Sequence, residues 1–133
     1  MKLIINTDGG ARGNPGPAGV GVVIKNEQGQ VVEELKEYIG IATNNVAEYK
    51  ALILALKKAG EMGGQILEIY MDSELIVRQM LGQYKIKEPS LQLLAQEVIG
   101  LKKYFKSVAF HHVRREFNSG ADKLVNQAID ENI

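Results

Sequence analysis

The stretch NVAEYKALILALKKAGEMGGQILEIYMD, residues 45–72, decides the fold, because its hydrophobic period changes once and without a linker. From Asn45 to Ala59 the apolar residues Tyr49, Leu52, Ile53 and Leu56 recur at helical spacing. Gly63-Gly64 breaks that pattern, and Ile66 to Met71 then reads as a strand ending at Asp72. Upstream, Lys2 to Thr7 reads as a strand ending at Asp8. If the two strands lie parallel, joined by a right-handed helical crossover, both finish at one edge of a sheet and bring Asp8 and Asp72 together. Ligand sites in open α/β sheets favour that edge, at the point where connections leave in opposite directions.

The rest of the chain extends this unit on both sides. Gly19 to Lys25 and Val31 to Ile39 read as strands around a turn at Asn26 to Gly29, which with the first strand predicts an antiparallel meander. Ser73 to Leu81 reads as a short helix, Ser90 to Phe105 as a longer one after Pro89, Val108 to His112 as a strand, and Ser119 to Ile129 as a closing helix. The expectation is an α/β fold, a mixed sheet flanked by helices in a single domain over residues 1–133.

Composition narrows the chemistry. The 133 residues are 45% apolar and 24% charged, ordinary for one globular domain with a sizeable core. Without cysteine there is no disulfide framework, thiolate zinc site or thiol nucleophile. The start, MKLIINTDGG, lacks the apolar core of a secretion signal, and no apolar run is long enough to span a bilayer, so a cytoplasmic protein without a membrane partner is expected. No obligate protein partner is evident. Sixteen basic residues balance sixteen acidic ones, which argues against strong nucleic-acid binding, although a catalyst can bind weakly and still turn over.

Four carboxylates stand where the chain enters or leaves regular elements: Asp8, Glu48, Asp72 and Asp122. Hard divalent cations such as Mg2+ take oxygen ligands and keep several waters, so carboxylates gathered at a sheet edge suit them. Without a cation such a gathering is costly, because like charges raise each other's pKa. Glu48 lies roughly 200° around the helix from Lys50 and shares the stripe of Leu52, so it faces the sheet and needs a partner there. Each acid also has a plainer role. Glu48 after Asn45 and Asp122 after Ser119 have the spacing of capping boxes; Asp8 before Gly9-Gly10 suits a turn; Asp72 could cap the helix opening at Ser73.

Several motifs in order carry a resemblance: Thr7-Asp8-Gly9-Gly10, Gly13-Asn14-Pro15-Gly16-Pro17, Thr43-Asn44-Asn45-Val46-Ala47-Glu48, Met71-Asp72-Ser73 and Asn118-Ser119-Gly120-Ala121-Asp122. Together they resemble the type 1 ribonuclease H family. The resemblance implies a five-stranded sheet, three strands antiparallel and two parallel. It also implies Mg2+-dependent hydrolysis of the RNA strand of RNA/DNA hybrids, with Asp8, Glu48, Asp72 and Asp122 as the metal-coordinating acids. Two ions, for which Mn2+ could substitute, would sit roughly 3.5 to 4 Å apart on the scissile phosphate, giving 5′-phosphate and 3′-hydroxyl products. Asp8 is expected to bridge them, Glu48 and Asp72 to complete the shell at the leaving oxygen, and Asp122 to hold the ion that activates water. Asn14, Thr43, Asn44 and Asn45 fall in the loops that, by the same resemblance, reach the hybrid's minor groove.

Three departures qualify the match. Ile41 stands where many members have an arginine, which removes a charge from the expected DNA-phosphate pocket and points to broader duplex specificity, including RNA/RNA. The basic protrusion of several members is reduced to Gly82 to Glu88, with only Lys85 and Lys87. The loop histidine before the last acid is missing from Val113 to Asn118, where Arg115 or Glu116 could serve as the auxiliary group. His111 and His112 are expected to be structural. The competing readings are a related nuclease of wider specificity and a catalytically weak nucleic-acid-binding module; retention of all four acids disfavours the second.

Overall fold

The computed structural model describes residues 1–133 as five strands and four α-helices. The strands are β1 (Lys2–Ala11), β2 (Gly16–Lys25), β3 (Val31–Ala42), β4 (Ile66–Met71) and β5 (Ser107–His112). The helices are α1 (Asn44–Glu61), α2 (Glu74–Met80), α3 (Pro89–Lys102) and α4 (Ser119–Asp130), with a 3₁₀ turn at Arg115–Phe117 ahead of α4. One sheet runs in the order β3-β2-β1-β4-β5. The pairs β1–β2 and β2–β3 are antiparallel, while β1–β4 and β4–β5 are parallel; the meander and the β1–β4 pair are as the sequence reading expects, and the five-stranded mixed sheet is as the resemblance implies. The Asn26 side chain folds the β2–β3 tip by accepting from the amides of Gln28 and Gln30, and Gly29 takes the positive φ that the turn requires.

Alternation along the strands sends successive side chains to opposite faces, and each face has its own helical cover. On one face Leu3, Ile5, Val22, Ile24, Leu67 and Ile69 share a core with α1 and α3. Burial extends around much of α1, through Tyr49, Ala51, Leu52, Ile53, Ala55 and Leu56, because the helix lies between the sheet and α3. Each such leucine contributes about 1.5–3 kcal/mol by leaving water. On the other face α4 lays down Ala121, Leu124, Val125, Ala128 and Ile129, a single stripe at helical spacing.

Glycines set how closely these helices approach. A β-carbon at Gly9 would overlap the Ala47 backbone of α1, and one at Gly21 would overlap the Ala121 carbonyl of α4. Glu48 and Asp122, one residue beyond each contact, are thereby drawn toward Asp8.

Several boundaries differ from the sequence expectations. β1 does not end at Thr7: its ladder with β4 stops at Thr7–Met71, but Asp8, Gly9 and Gly10 stay paired with Gly21, Val20 and Gly19 of β2. Asp8 is therefore a strand residue beyond the end of its neighbour strand and not a turn residue. The α1 cap is Thr43, whose Oγ1 accepts from the Val46 amide at 3.2 Å, so Asn45 lies inside the helix and makes no capping box with Glu48. Ser73, not Asp72, caps α2 through the Ile76 amide. Asn118 occupies the α4 cap position and Ser119 is already helical, so no capping box engages Asp122.

Candidate active site

Three elements of the sheet edge converge on one cleft of about 470 Å³. β1 supplies Asp8, the second turn of α1 supplies Glu48, and the exit of β4 supplies Asp72. Oxygens of these three carboxylates all lie within 4.8 Å of one another. Asp122, in the first turn of α4, lines the same cleft with a third of its side chain exposed. Asp8 and Glu48 are the buried pair, 6% and 8% exposed.

Burial and mutual repulsion act in the same direction on these groups. Burial, then the charges of Asp72 and Asp122, push the Asp8 carboxyl up to about 8. Burial, then Asp8 and Asp72, hold Glu48 well above the usual carboxylate range. Asp72 is also raised by burial, and the Arg115 guanidinium opposes that rise. Glu48 Oε2 is buried without a hydrogen-bond donor. A buried, unpartnered carboxylate oxygen among three clustered acids is a costly arrangement on its own. The donor set fits a hard divalent cation: every ligand is oxygen, and no thiolate or imidazole stands among the acids.

The other residues singled out from the sequence divide into those at the cleft and those away from it. Asn44 lines the cleft, and its Oδ1 accepts from the Ala11 amide at 2.8 Å. Asn14 Oδ1 accepts from the Asn44 amide at 3.0 Å, so the β1–β2 loop and the start of α1 are latched together. Thr43 is occupied as the helix cap, and Asn45 is half-buried beside it. Arg115 reaches the acids, its guanidinium 3.7 Å from Asp122. Glu116 does not: it pairs with Arg114 at 3.3 Å and lines a separate hollow beside Phe117, so the auxiliary role considered for it is withdrawn. His111 stacks on Tyr70, away from the cleft.

Sequence reasoning missed Arg12 and Asn126. Arg12 lines the cleft, 2.7 Å from Asp130, and its guanidinium donates to Asn126. The available signal was the spacing of Asp122, Asn126 and Asp130, which places all three on one face of α4.

Comparison with known proteins follows the same lines. A family model described as reverse transcriptase-like matches residues 6–128. The N-terminal ribonuclease H domain of Rv2228c from Mycobacterium tuberculosis is 44% identical, with 98% of this chain and 100% of that one covered and a TM-score of 0.94. LC11-RNase H1, isolated from compost and solved in complex with an RNA/DNA hybrid, is 51% identical over 97% of each chain, with a TM-score of 0.93. The chain belongs to the type 1 ribonuclease H family. Ribonuclease H of Thermosynechococcus vestitus is 38% identical over 83% of this chain and 75% of its own length. The chain spans 36% of the full-length mycobacterial relative, named as a bifunctional protein, and 62% of ribonuclease HI from Halobacterium salinarum. No helix of the chain is long and apolar enough to cross a membrane.

Proposed function

We propose that this chain is a metal-dependent endonuclease that hydrolyses the RNA strand of RNA/DNA hybrids, leaving 5′-phosphate and 3′-hydroxyl ends. The observation that carries the reading is the cluster of Asp8, Glu48 and Asp72 with its unpartnered Glu48 oxygen. Relatives named ribonuclease H, and a similar chain solved with an RNA/DNA hybrid, support the substrate class.

Asp8, Glu48, Asp72 and Asp122 would hold two Mg2+ ions, or Mn2+ in their place. Bound there, the cations would supply a nucleophilic water at neutral pH and offset charge on the leaving 3′ oxygen. The protein's own contribution is placement. β1 and α1 hold Asp8 and Glu48 rigidly in the packed interior, while Asp72 and Asp122 approach from the more open side. Asn14 and Asn44 spend their oxygens on backbone amides, leaving their amide nitrogens to donate outward to sugar hydroxyls and base acceptors of a minor groove. Thr43 and Asn45 extend that donor surface at the start of α1. Arg115, at the mouth of the cleft, is placed to assist proton transfer or product departure.

The test is one gel with RNA/DNA, RNA/RNA and DNA/DNA duplexes in Mg2+ and in Mn2+, beside an Asp72→Asn control. Cleavage of RNA in the hybrid is expected, lost by several orders of magnitude in the control. Cyclic 2′,3′-phosphate ends, or full activity in EDTA, would sink the mechanism. A wider specificity that includes RNA/RNA is favoured by Ile41, 68% exposed and paired with Pro17 at the end of β3, where no charge meets a DNA phosphate. Ile41→Arg is expected to sharpen hybrid preference and steepen the salt dependence by about one unit.

A further inference from the structure

The acid on α4 has a position to keep that packing alone does not explain. Asp122 sits on the first turn of a helix whose cap residue, Asn118, makes no side-chain bond to the helix itself. The Asn118 side chain instead turns back to the sheet. It is 1% exposed, and its Nδ2 donates to the Thr7 carbonyl at 2.9 Å, at the last residue of the β1–β4 ladder and directly before Asp8. Its Oδ1 accepts from Asn6 Nδ2 at 3.0 Å. Meanwhile the Asn118 carbonyl accepts from the Asp122 amide at 3.1 Å. One residue thus joins the backbone beside Asp8 to the backbone of Asp122.

The Thr7 carbonyl can only accept, so it fixes the Asn118 nitrogen toward itself, and Asn6 supports that orientation by donating to the other end. A buried primary amide can be turned over, exchanging its donor and acceptor ends. With Asn6 donating, the Asn118 oxygen is held toward Asn6 and its nitrogen toward Thr7. If position 6 could only accept, it would compete with Thr7 for that nitrogen, leaving two oxygens facing one another at one end or the other. Asn6 is half-buried on the sheet between Val23 of β2 and Tyr70 of β4 and lies outside the acid cleft, in the separate hollow beside Asn118.

We propose that Asn6 and Asn118 form a positioning clamp that sets the Asp8–Asp122 spacing and thereby the affinity of that pair for a divalent cation. The inference rests on the metal-site reading above. Outer partners that orient ligands typically change metal affinity or activity by about 10- to 100-fold when lost. The clamp reaches only backbone, so its effect falls at the lower end of that range.

The experiment compares wild type, Asn6→Leu, Asn6→Asp and Asn6→Gln in three measurements: Mg2+ binding without substrate by calorimetry, hybrid cleavage resolved into kcat and KM, and melting of the metal-free protein. Asn6→Leu is expected to weaken Mg2+ binding about tenfold and to lower kcat with KM unchanged, while the metal-free melt stays close to wild type. Asn6→Asp should be worse than Asn6→Leu, because it sets an acceptor against the Asn118 oxygen. Asn6→Gln, which keeps a donor on a longer arm, should recover part of the loss. Unchanged Mg2+ affinity and kcat in Asn6→Leu would overturn the clamp, as would a lowered melt with both unaffected. Absence of Mg2+ binding and cleavage in wild type would instead overturn the reading of the acids, and the clamp with it.

Discussion

The two helices that bring acids to Asp8 are anchored in different ways. α1 lies between the sheet and α3, inside the main core of 19 buried residues, and Glu48 inherits its rigidity. α4 is covered on one side only and rests on glycines of β2, with Val23, Ala121 and Leu124 as a small separate cluster. Glu48 is accordingly 8% exposed, while a third of the Asp122 side chain meets solvent beside Arg115. One acid is placed by a core that would exist without it. The other is placed by close backbone approach and a few hydrogen bonds, so the α4 side of the site is the adjustable side.

The largest expected contrast is in stability. Leu56, 1% exposed in the main core, should cost about 2–5 kcal/mol as Leu56→Ala, because a cavity between sheet, α1 and α3 cannot collapse fully. Leu124→Ala, in the three-residue cluster and 9% exposed, should fall below that range, while perturbing Mg2+ binding more, since α4 is packed on one side only and can tilt about its contact with Gly21, carrying Asp122 with it. Urea midpoints together with Mg2+ titrations decide this. Equal destabilisation by the two variants would erase the distinction between the helices.

A smaller effect appears in the pH dependence of the metal-free protein. Asp8 moves from an ordinary 3.8 to about 8 on folding, so between those values the folded state holds a proton that the unfolded state has released. Stability must therefore fall as pH rises through that window, and level off above it. Glu48 and Asp72 are raised as well and add to the slope in the same direction. Asp8→Asn should flatten the decline measured by melting in EDTA from pH 4.5 to 8.5, and Mg2+ should restore wild-type stability at the alkaline end. A wild-type melt that rises over this range in EDTA would contradict the repulsive cluster.

How much of this was readable beforehand follows the same division. The α1 side was legible: helical period, a glycine break and a strand placed Glu48 and Asp72 at one edge of a parallel pair, and both are there. The end of β1 was not, because Gly9-Gly10 normally signals a turn. The reason for those glycines is tertiary, since the α1 backbone lies where a β-carbon would project. The capping alternatives for Glu48, Asp72 and Asp122 fall away because the cap positions are Thr43, Ser73 and Asn118. Asn44 and Asn14 look like local turn formers, but their oxygens serve amides 33 and 30 residues away in sequence. Side chains whose partners are distant in sequence, Asn6 and Asn118 among them, leave no periodic trace.

The smallest effect concerns Arg115, the cation paired with Asp122. Its guanidinium is 3.7 Å from that carboxylate with the side chain 81% exposed, so solvent screens the pair and its direct contribution to stability is slight. Its field nonetheless lowers the Asp72 carboxyl against the effect of burial, so in EDTA at neutral pH Arg115→Ala should melt marginally below wild type. Saturating Mg2+ should close that gap, because the cation then neutralises the same acids. In catalysis the loss should appear as a lower kcat with KM unchanged or reduced, as for a group assisting proton transfer or product departure. A normal kcat with a raised KM would assign Arg115 to holding substrate, and would move the adjustable side of the site from the acid on α4 to the duplex lying over it.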